Sequence, residues 1–152
     1  MASKTHSETK IALAITPEEI ARCSDVMREL RPHVAAETFV SRVEAQQKEG
    51  YQLAFLELES AVRSVAGFRI DEVLFSGRTL YIDDLVTRAQ DRSLGFGAAL
   101  FDWLIEYAQR DNCEHLALDS GVQRFAAHRF YLNRGMDITA HHFLLKLERS
   151  SP

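Results

Sequence analysis

The stretch Arg92-Ser93-Leu94-Gly95-Phe96-Gly97 has the residue types and spacing of an anion-binding loop. It follows an apolar run that predicts a strand, 80–87, and precedes an apolar-striped segment that predicts a helix, 98–109. Backbone N–H groups at the positive end of a helix bind phosphate groups. Glycines let the chain turn tightly and let an anion approach with no Cβ in the way, and Arg92 can add a charge-assisted hydrogen bond. The stretch therefore predicts a phosphate-binding site.

Two common phosphate-binding motifs do not fit these residues. A dinucleotide-binding fingerprint needs a further glycine three positions after Gly97, where Leu100 stands. A Walker loop needs Gly-Lys followed by Ser or Thr, and that triplet does not occur in the sequence. What remains is Arg-x-x-Gly-x-Gly between a strand and an amphipathic helix.

Hydrophobic periodicity predicts the elements that position this loop. Thr16, Pro17 and Glu19 form the pattern of a capping box at the start of a helix. The predicted order is strand 10–15, a helix from 17 up to Pro32, helix 35–48, strands 51–58 and 61–70, a turn over 71–77, strand 78–87, the loop and its helix, strand 115–119, helix 124–134 and strand 138–147. Period-two alternation along 78–87 predicts that Leu80, Ile82, Asp84 and Val86 share one face and that Asp83 lies on the other.

Composition limits the classes of protein that fit. The chain has 152 residues, 46% hydrophobic and 26% charged, typical of one globular domain, and no apolar run approaches the roughly 20 residues of a membrane span. A net charge of −4 predicts no nucleic-acid partner. Cys23 and Cys113 lack metal-ligand spacing, which predicts reduced thiols and no metal site. The polar N-terminus predicts a flexible leader, 1–9, before a domain at 10–148 of a cytoplasmic protein.

The loop resembles the pyrophosphate-binding signature of the GCN5-related N-acetyltransferase (GNAT) family, whose members hold acetyl-CoA there. A second segment, Ala127-His128-Arg129-Phe130-Tyr131-Leu132-Asn133-Arg134-Gly135-Met136, is similar to the Ala-x-x-Phe-Tyr…Gly-Phe segment that closes the family's cofactor site. The predicted order of elements over 10–147 also looks like the family's fold. The resemblance implies a single α/β domain with a mixed, mostly antiparallel central sheet flanked by helices on both faces.

The resemblance also implies that acetyl-CoA is the acetyl donor, with its pantetheine arm along the end of strand 78–87 and its pyrophosphate on the loop. The residues implied to bind it are Leu85, Val86, Thr87, Arg92, Ser93, Leu94, Gly95, Phe96, Gly97, Ala98 and Arg124. At the last position many family members have Asn, which touches the pantetheine. Here Arg124 could reach a CoA phosphate or an anionic substrate group, or could be an exposed arginine of the first helical turn.

Two catalytic residues follow from the same resemblance. Tyr131 would lie beside the sulfur, and a phenol, whose ordinary pKa is about 10, is protonated at neutral pH and can donate to a departing thiolate. An amine also needs a base, because an alkylammonium has no lone pair with which to attack. Asp84 is the first candidate, acting directly or through water. The alternative for Asp84 is a solvated or salt-bridged strand carboxylate.

The predicted function is direct transfer of an acetyl group from acetyl-CoA to a primary amine of a small molecule or peptide, by a monomer or homodimer with no membrane partner. The stretch 123–132 also looks like the corresponding part of aminoalkylphosphonate acetyltransferases. Two alternatives stay open: a non-catalytic acyl-CoA-binding or sensing module on the same fold, and transfer of a longer acyl group.

Overall fold

The computed structural model describes residues 8–150. The chain divides into two compact units, one that ends at Leu118 and one that begins at Asp119. Most of the leader predicted at 1–9 lies outside the described residues, and the domain bounds 10–148 stay a prediction. Among the described residues, no helix is long and apolar enough to cross a membrane.

The first unit is a five-stranded sheet with helices on both faces. Its strands lie in the order β1-β2-β3-β4-β5; the first four are antiparallel, and β5 runs parallel to β4. The elements are β1 (Lys10–Leu13), α1 (Pro17–Leu30), α2 (Ala36–Gln47), β2 (Gln52–Leu58), β3 (Ala61–Val73), β4 (Gly77–Thr87), a 3₁₀ turn (Ala89–Asp91), α3 (Phe96–Arg110) and β5 (His115–Leu118). The predicted fold class, a mixed and mostly antiparallel sheet flanked by helices, is confirmed.

Local sequence explains where the main elements begin and end. The capping box predicted at α1 is present: the Thr16 hydroxyl accepts from the Glu19 N–H, and the Glu19 carboxylate accepts from the Thr16 N–H. Asn112 has a left-handed conformation, with φ 57°, just after α3. The two residues predicted to link β2 and β3, Glu59 and Ser60, have φ of 53° and 63°, as a two-residue hairpin turn matched to the strand twist requires.

Each face of the sheet has its own apolar core. On one face, side chains of α1 and α2 pack against those of β2, β3 and β4; the members include Ile20, Phe39, Leu53, Phe55, Val65 and Val86. On the other face, the Phe68 ring contacts Trp103 and Tyr107 of α3, with ring centroids 6.5 Å and 5.2 Å apart. β4 is therefore packed on both faces, between β3 and, along its first half, β5.

A β-bulge overturns the predicted faces of β4. Phe68 pairs with Ile82 and Gly67 with Asp84, so Asp83 is an extra residue on β4 with no partner on β3. An extra residue breaks period-two alternation. Ile82 therefore shares the α3 face with Phe68, while Asp84 and Asp83 both lie on the α1–α2 face. The predictions that 80, 82, 84 and 86 share a face, and that Asp83 points away from Asp84, are wrong.

The β3–β4 turn is shorter than predicted. β3 continues to Val73 and β4 begins at Gly77, which leaves only 74–76 between them. The polar residues Asp71 and Glu72 suggested a loop, yet they pair with Thr79 and Arg78, because a ladder is built from backbone hydrogen bonds that polar residues supply equally well.

In the part of the second unit that the structure describes, 119–150, there is one helix, α4 (Phe125–Asn133), and Gly135 follows its C-cap with φ 87°. The strand predicted at 138–147 is wrong, since the structure has no regular secondary structure over 136–150. The apolar pattern of the segment is strand-like, but a strand also needs a neighbouring backbone to complete its hydrogen bonds. The periodicity of one segment does not indicate whether another strand lies beside it.

Candidate functional site

The last half of β4 leaves one backbone edge without a strand beside it. β5 pairs with β4 only from Thr79 to Ile82, whereas β3 follows β4 as far as Thr87. Within residues 8–150, no strand pairs with the second edge of β4 beyond Ile82. The N–H and C=O groups on that edge are hydrogen-bonding positions for an extended ligand. Leu85, Val86 and Thr87, expected to bind the cofactor, lie in this part of the strand.

The chain leaves β4 through a 3₁₀ turn that Asp91 anchors. The Asp91 side chain is only 7% exposed; one oxygen lies 3.2 Å from Nη1 of Arg63, and the other accepts from Nε of Arg88. The hydrogen bond from Arg88, aided by the charge of Arg63, lowers the pKa of Asp91. Sequence analysis missed Asp91; its position between Arg88 and Arg92 in a polar run did not distinguish it from a solvated residue.

The predicted anion-binding loop follows directly. Ser93 and Gly95 both have left-handed backbone, with φ of 66° and 88°, and α3 begins at Phe96 with no side-chain cap from Gly95. A Cβ on Gly97 would lie 3.0 Å from Oγ1 of Thr87, so a glycine here lets the start of the helix approach the end of the strand. Left-handed residues in such loops arrange successive N–H groups into a concave anion-binding surface.

The loop residues available to a ligand are exposed or half-buried. Arg92, Ser93, Leu94 and Gly95 are exposed, whereas Phe96, Gly97 and Ala98 are half-buried at the first turn of α3. The helix dipole makes this end positive. The loop follows the open edge of β4 along the chain, so backbone hydrogen-bonding groups lead from the strand to the positive end of α3.

Asp84 lies on the α1–α2 face with both carboxylate oxygens occupied. Oδ1 accepts from Nε of Arg31 at 2.8 Å, and Oδ2 accepts from the Tyr51 hydroxyl at 2.9 Å. The side chain is 15% exposed. Each oxygen keeps a further lone pair, so the carboxylate can still accept a proton or hold a water. Asp84 is therefore salt-bridged, as the alternative interpretation expected, and its remaining lone pairs are still available for a chemical role.

Asp83 is the second carboxylate at the bulge. Nε of Arg69 donates to its Oδ2 at 2.8 Å, and Nη2 of Arg69 donates to Oε1 of Gln46 on α2. Burial raises the pKa of Asp83, and the hydrogen bond from Arg69 partly opposes the rise. Two arginines therefore balance two adjacent carboxylates. Arg31, Tyr51 and Arg69 were not identified from the sequence, because they lie on three elements far apart in the chain.

Tyr131 and Arg124 lie on the second unit. Tyr131 is half-buried on α4; burial raises its pKa above the ordinary value, and the charge of Arg124 partly opposes the rise. The phenol therefore holds its proton at neutral pH. Arg124 is the exposed N-cap residue of α4 and donates no side-chain hydrogen bond to it.

The two thiols are poor nucleophiles. Cys23 is fully buried in α1, and burial raises its pKa to about 12. Burial also raises the pKa of Cys113. Among the residues the structure describes, no group of three or more His, Cys, Asp or Glu side chains could hold a metal ion.

Fold and site together define an acetyltransferase. A model of the acetyltransferase (GNAT) family matches residues 18–136, and the chain belongs to that family. Acetyl-CoA is the acetyl donor of these enzymes, and amines are their acceptors.

Individual relatives agree with this assignment. The chain is 38% identical over 130 residues to the uncharacterized N-acetyltransferase YhdJ of Bacillus subtilis, covering 85% of this chain and 91% of that protein. Its fold is similar to the aminoglycoside N-acetyltransferase AAC(6')-Iy in complex with CoA, with a TM-score of 0.83, 12% identity and coverage of 97% of this chain and 100% of that one. Glucosamine-6-phosphate N-acetyltransferase of Arabidopsis thaliana has a TM-score of 0.74 at 18% identity, over 93% and 99% of the two chains.

Proposed function

We propose that this acetyltransferase moves the acetyl group of acetyl-CoA directly to a primary amine of a small molecule or peptide, with Asp84 as general base and Tyr131 as general acid. The observation that carries the proposal is the arrangement along β4. From Asp84 to its end at Thr87, the strand passes from a half-buried carboxylate along an open backbone edge, and a 3₁₀ turn then leads to a loop at the positive end of α3. Donor binding and amine activation thus belong to one continuous strand.

Binding of the donor uses backbone groups for the most part. The pantetheine amides would pair with the open edge at Leu85 to Thr87, as a further strand would. The pyrophosphate would lie on the N–H groups of Leu94 to Ala98, with Arg92 adding a charge-assisted bond. The glycine positions support this assignment, because a side chain at Gly95 or Gly97 would strain the left-handed turn or narrow the space beside Thr87.

Activation of the amine falls to Asp84, directly or through one water. The nitrogen must lose a proton before or as it attacks the thioester carbonyl, and a carboxylate with a spare lone pair on each oxygen can accept it. The C–N bond forms as the C–S bond breaks. The leaving sulfur takes a proton from Tyr131, whose raised pKa keeps the phenol protonated at neutral pH.

Direct transfer is favoured over a covalent acyl-enzyme. A thiol nucleophile needs a lowered pKa and an accessible sulfur. Cys23 has neither, since its sulfur is buried and hydrogen-bonded to the Glu19 carbonyl.

The test is thiol release from acetyl-CoA with a panel of amines: small metabolite amines, a peptide N-terminus, a peptide lysine, an aminoglycoside and an aminophosphonate. We expect at least one amine to yield stoichiometric CoA and acetylated product, with Asp84→Asn strongly impaired on that amine. Binding of acetyl-CoA without turnover on any of these amines would contradict the proposal and favour a non-catalytic acyl-CoA-binding module. Longer acyl-CoA donors in the same assay measure the width of the acyl site.

A further inference from the structure

A half-buried cluster of polar side chains lies at the bulge on β4. Its members are Arg31, Tyr51, Arg69, Asp83 and Asp84, contributed by the end of α1, the start of β2, and strands β3 and β4. Two positive and two negative side chains balance, so the cluster adds no net charge. The only neutral titratable member is the Tyr51 phenol, which touches Asp84.

Tyr51 is held tightly in one position. The residue is 4% exposed, its hydroxyl lies 2.9 Å from Oδ2 of Asp84, and the guanidinium of Arg69 lies 5.4 Å from its ring centroid. Burial and the neighbouring charge of Asp84 raise its pKa well above 10. The hydroxyl therefore keeps its proton and can act only as a donor to the carboxylate at neutral pH.

Gly67 leaves the space that Tyr51 occupies. A Cβ on this glycine would lie 1.8 Å from the Tyr51 hydroxyl oxygen and 2.6 Å from Oδ2 of Asp84. Gly67 is also the residue of β3 that pairs with Asp84 at the bulge. A side chain here is incompatible with the observed hydrogen bond, so the glycine and the tyrosine form one arrangement.

Arg31 holds the carboxylate from the other side. It is the C-cap residue of α1; its Nε donates to Oδ1 of Asp84, and its Nη2 donates to the backbone carbonyl of Asp83 at 2.9 Å. One guanidinium thus bridges the side chain and the bulged backbone. Asp84 thus has a donor on each oxygen, one from the end of α1 and one from the residue before β2.

We propose that Tyr51 and Arg31 are positioning residues that hold the Asp84 carboxylate in the orientation needed to take a proton from the amine, with Gly67 providing the space for the Tyr51 hydroxyl. This inference rests on the proposed function of Asp84. The two donors leave the carboxylate few rotamers and fix the direction of its remaining lone pairs. In this proposal each residue acts on the reaction through its hydrogen bond to Asp84, and neither exchanges a proton with the amine.

The test compares pH–rate profiles of the full chain and its variants on the best acceptor. The groups that face Asp84 are Arg31 from α1, Tyr51 before β2, Arg69 from β3 and Asp83 on β4. Of these, Tyr51→Phe removes one donor without changing a charge. We expect kcat to fall by about tenfold, the KM for acetyl-CoA to stay unchanged, and the acidic limb to move to higher pH, since loss of a donor disfavours the ionised carboxylate.

The matched control is Tyr107→Phe on the opposite face of the sheet. The Tyr107 hydroxyl also donates one hydrogen bond to a side chain, Oε1 of Gln52 at 2.9 Å. This variant should lose comparable thermal stability and keep the wild-type profile. Gly67→Ala provides a second route, because the added methyl would displace both the Tyr51 hydroxyl and Oδ2 of Asp84; its acidic limb should move in the same direction as that of Tyr51→Phe.

The outcomes separate the inference from the function on which it rests. Loss of activity in Asp84→Asn together with a Tyr51→Phe profile equal to that of Tyr107→Phe would overturn the positioning role and leave Asp84 as the base. A wild-type profile for Asp84→Asn would overturn both. A shifted acidic limb in Tyr51→Phe, absent from the control, supports the proposal.

Discussion

The anion-binding loop and the Asp84 cluster lie at the two ends of the same half-strand, yet they are built in opposite ways. The loop is exposed and relies on backbone groups, positive φ and a helix end. The cluster is half-buried and relies on side chains that four elements bring together. In the proposed mechanism, donor binding therefore depends on local conformation, whereas activation of the acceptor depends on tertiary packing.

This difference predicts which changes affect which kinetic constant. A substitution in the loop alters the binding of acetyl-CoA. A substitution in the cluster alters turnover and its pH dependence. Although Asp91 is buried, we expect its substitution to affect the binding of acetyl-CoA, because its ion pairs hold the 3₁₀ turn that leads into the loop.

The largest expected effect is on turnover in Asp84→Asn. The amide is nearly isosteric but cannot accept the amine proton, so kcat should fall by about 10²–10⁴-fold, the usual contribution of a general base. Steady-state kinetics on the best amine measure it, with a thermal melt to verify folding. A fall in kcat of less than about threefold would contradict the assignment of amine activation to the cluster, because a general base contributes far more than that.

Tyr131→Phe should have a smaller effect of the same kind. Removing the phenolic proton slows expulsion of the thiolate and lowers kcat by about 10²-fold, while calorimetric affinity for CoA stays unchanged. A better leaving group should restore part of the loss, because it needs less protonation. Equal turnover of variant and wild type would remove Tyr131 from the mechanism.

Asp91→Asn should affect affinity and stability. It removes the counter-charge beside Arg88 and the nearer of the two carboxylates beside Arg63, so we expect a loss of about 1–3 kcal/mol in the free energy of unfolding and a weaker Kd for acetyl-CoA. The pKa of Asp91 is lowered in the folded state, so its stabilising effect is complete above the unfolded pKa of about 3.9 and is lost as pH falls through the lower folded pKa.

Melting curves of wild type and Asp91→Asn across acidic pH measure this contribution. The difference in Tm should be constant near neutral pH and should narrow as pH falls below about 4. A difference that widens with acid would contradict the assigned role of the carboxylate.

The smallest effect is expected at the cysteines. Cys113→Ala should keep wild-type kcat, and thiol-alkylating reagents should not inactivate the folded enzyme through Cys23, whose pKa of about 12 and burial keep it unreactive. Inactivation that acetyl-CoA protects against would favour a covalent acyl-enzyme over direct transfer.

The conformation of the loop was easier to predict from the sequence than the cluster, because the loop depends on neighbouring residues and the cluster depends on tertiary packing. Glycine positions, a preceding strand and a following helix are local features, so the tight turn before α3 could be predicted, as could the capping box at Thr16; the anion-binding role of the turn stays a prediction. The cluster depends on a one-residue bulge that reverses the face of Asp83. Period-two alternation contains no information on bulges, so neither that face nor the partners Arg31, Tyr51 and Arg69 could be predicted.

The prediction at 138–147 failed in a similar way. Its alternating apolar residues satisfy the pattern of a strand, but the pattern describes only one of the two backbones that a ladder needs. Predictions from one segment succeed where that segment makes its own backbone hydrogen bonds, as in the helices α1 and α3. They fail where the structure depends on a second segment far away in the chain.

The most direct test is a calorimetric titration of acetyl-CoA into Gly95→Ala and Asp84→Asn, alongside turnover of both. Gly95 has φ 88°, where a Cβ costs about 1–2 kcal/mol, so we expect its variant to bind acetyl-CoA about tenfold more weakly yet to approach wild-type kcat at saturation. Asp84→Asn should bind with wild-type Kd and lose turnover. Equal loss of affinity in both variants would contradict the separation of donor binding from amine activation along β4.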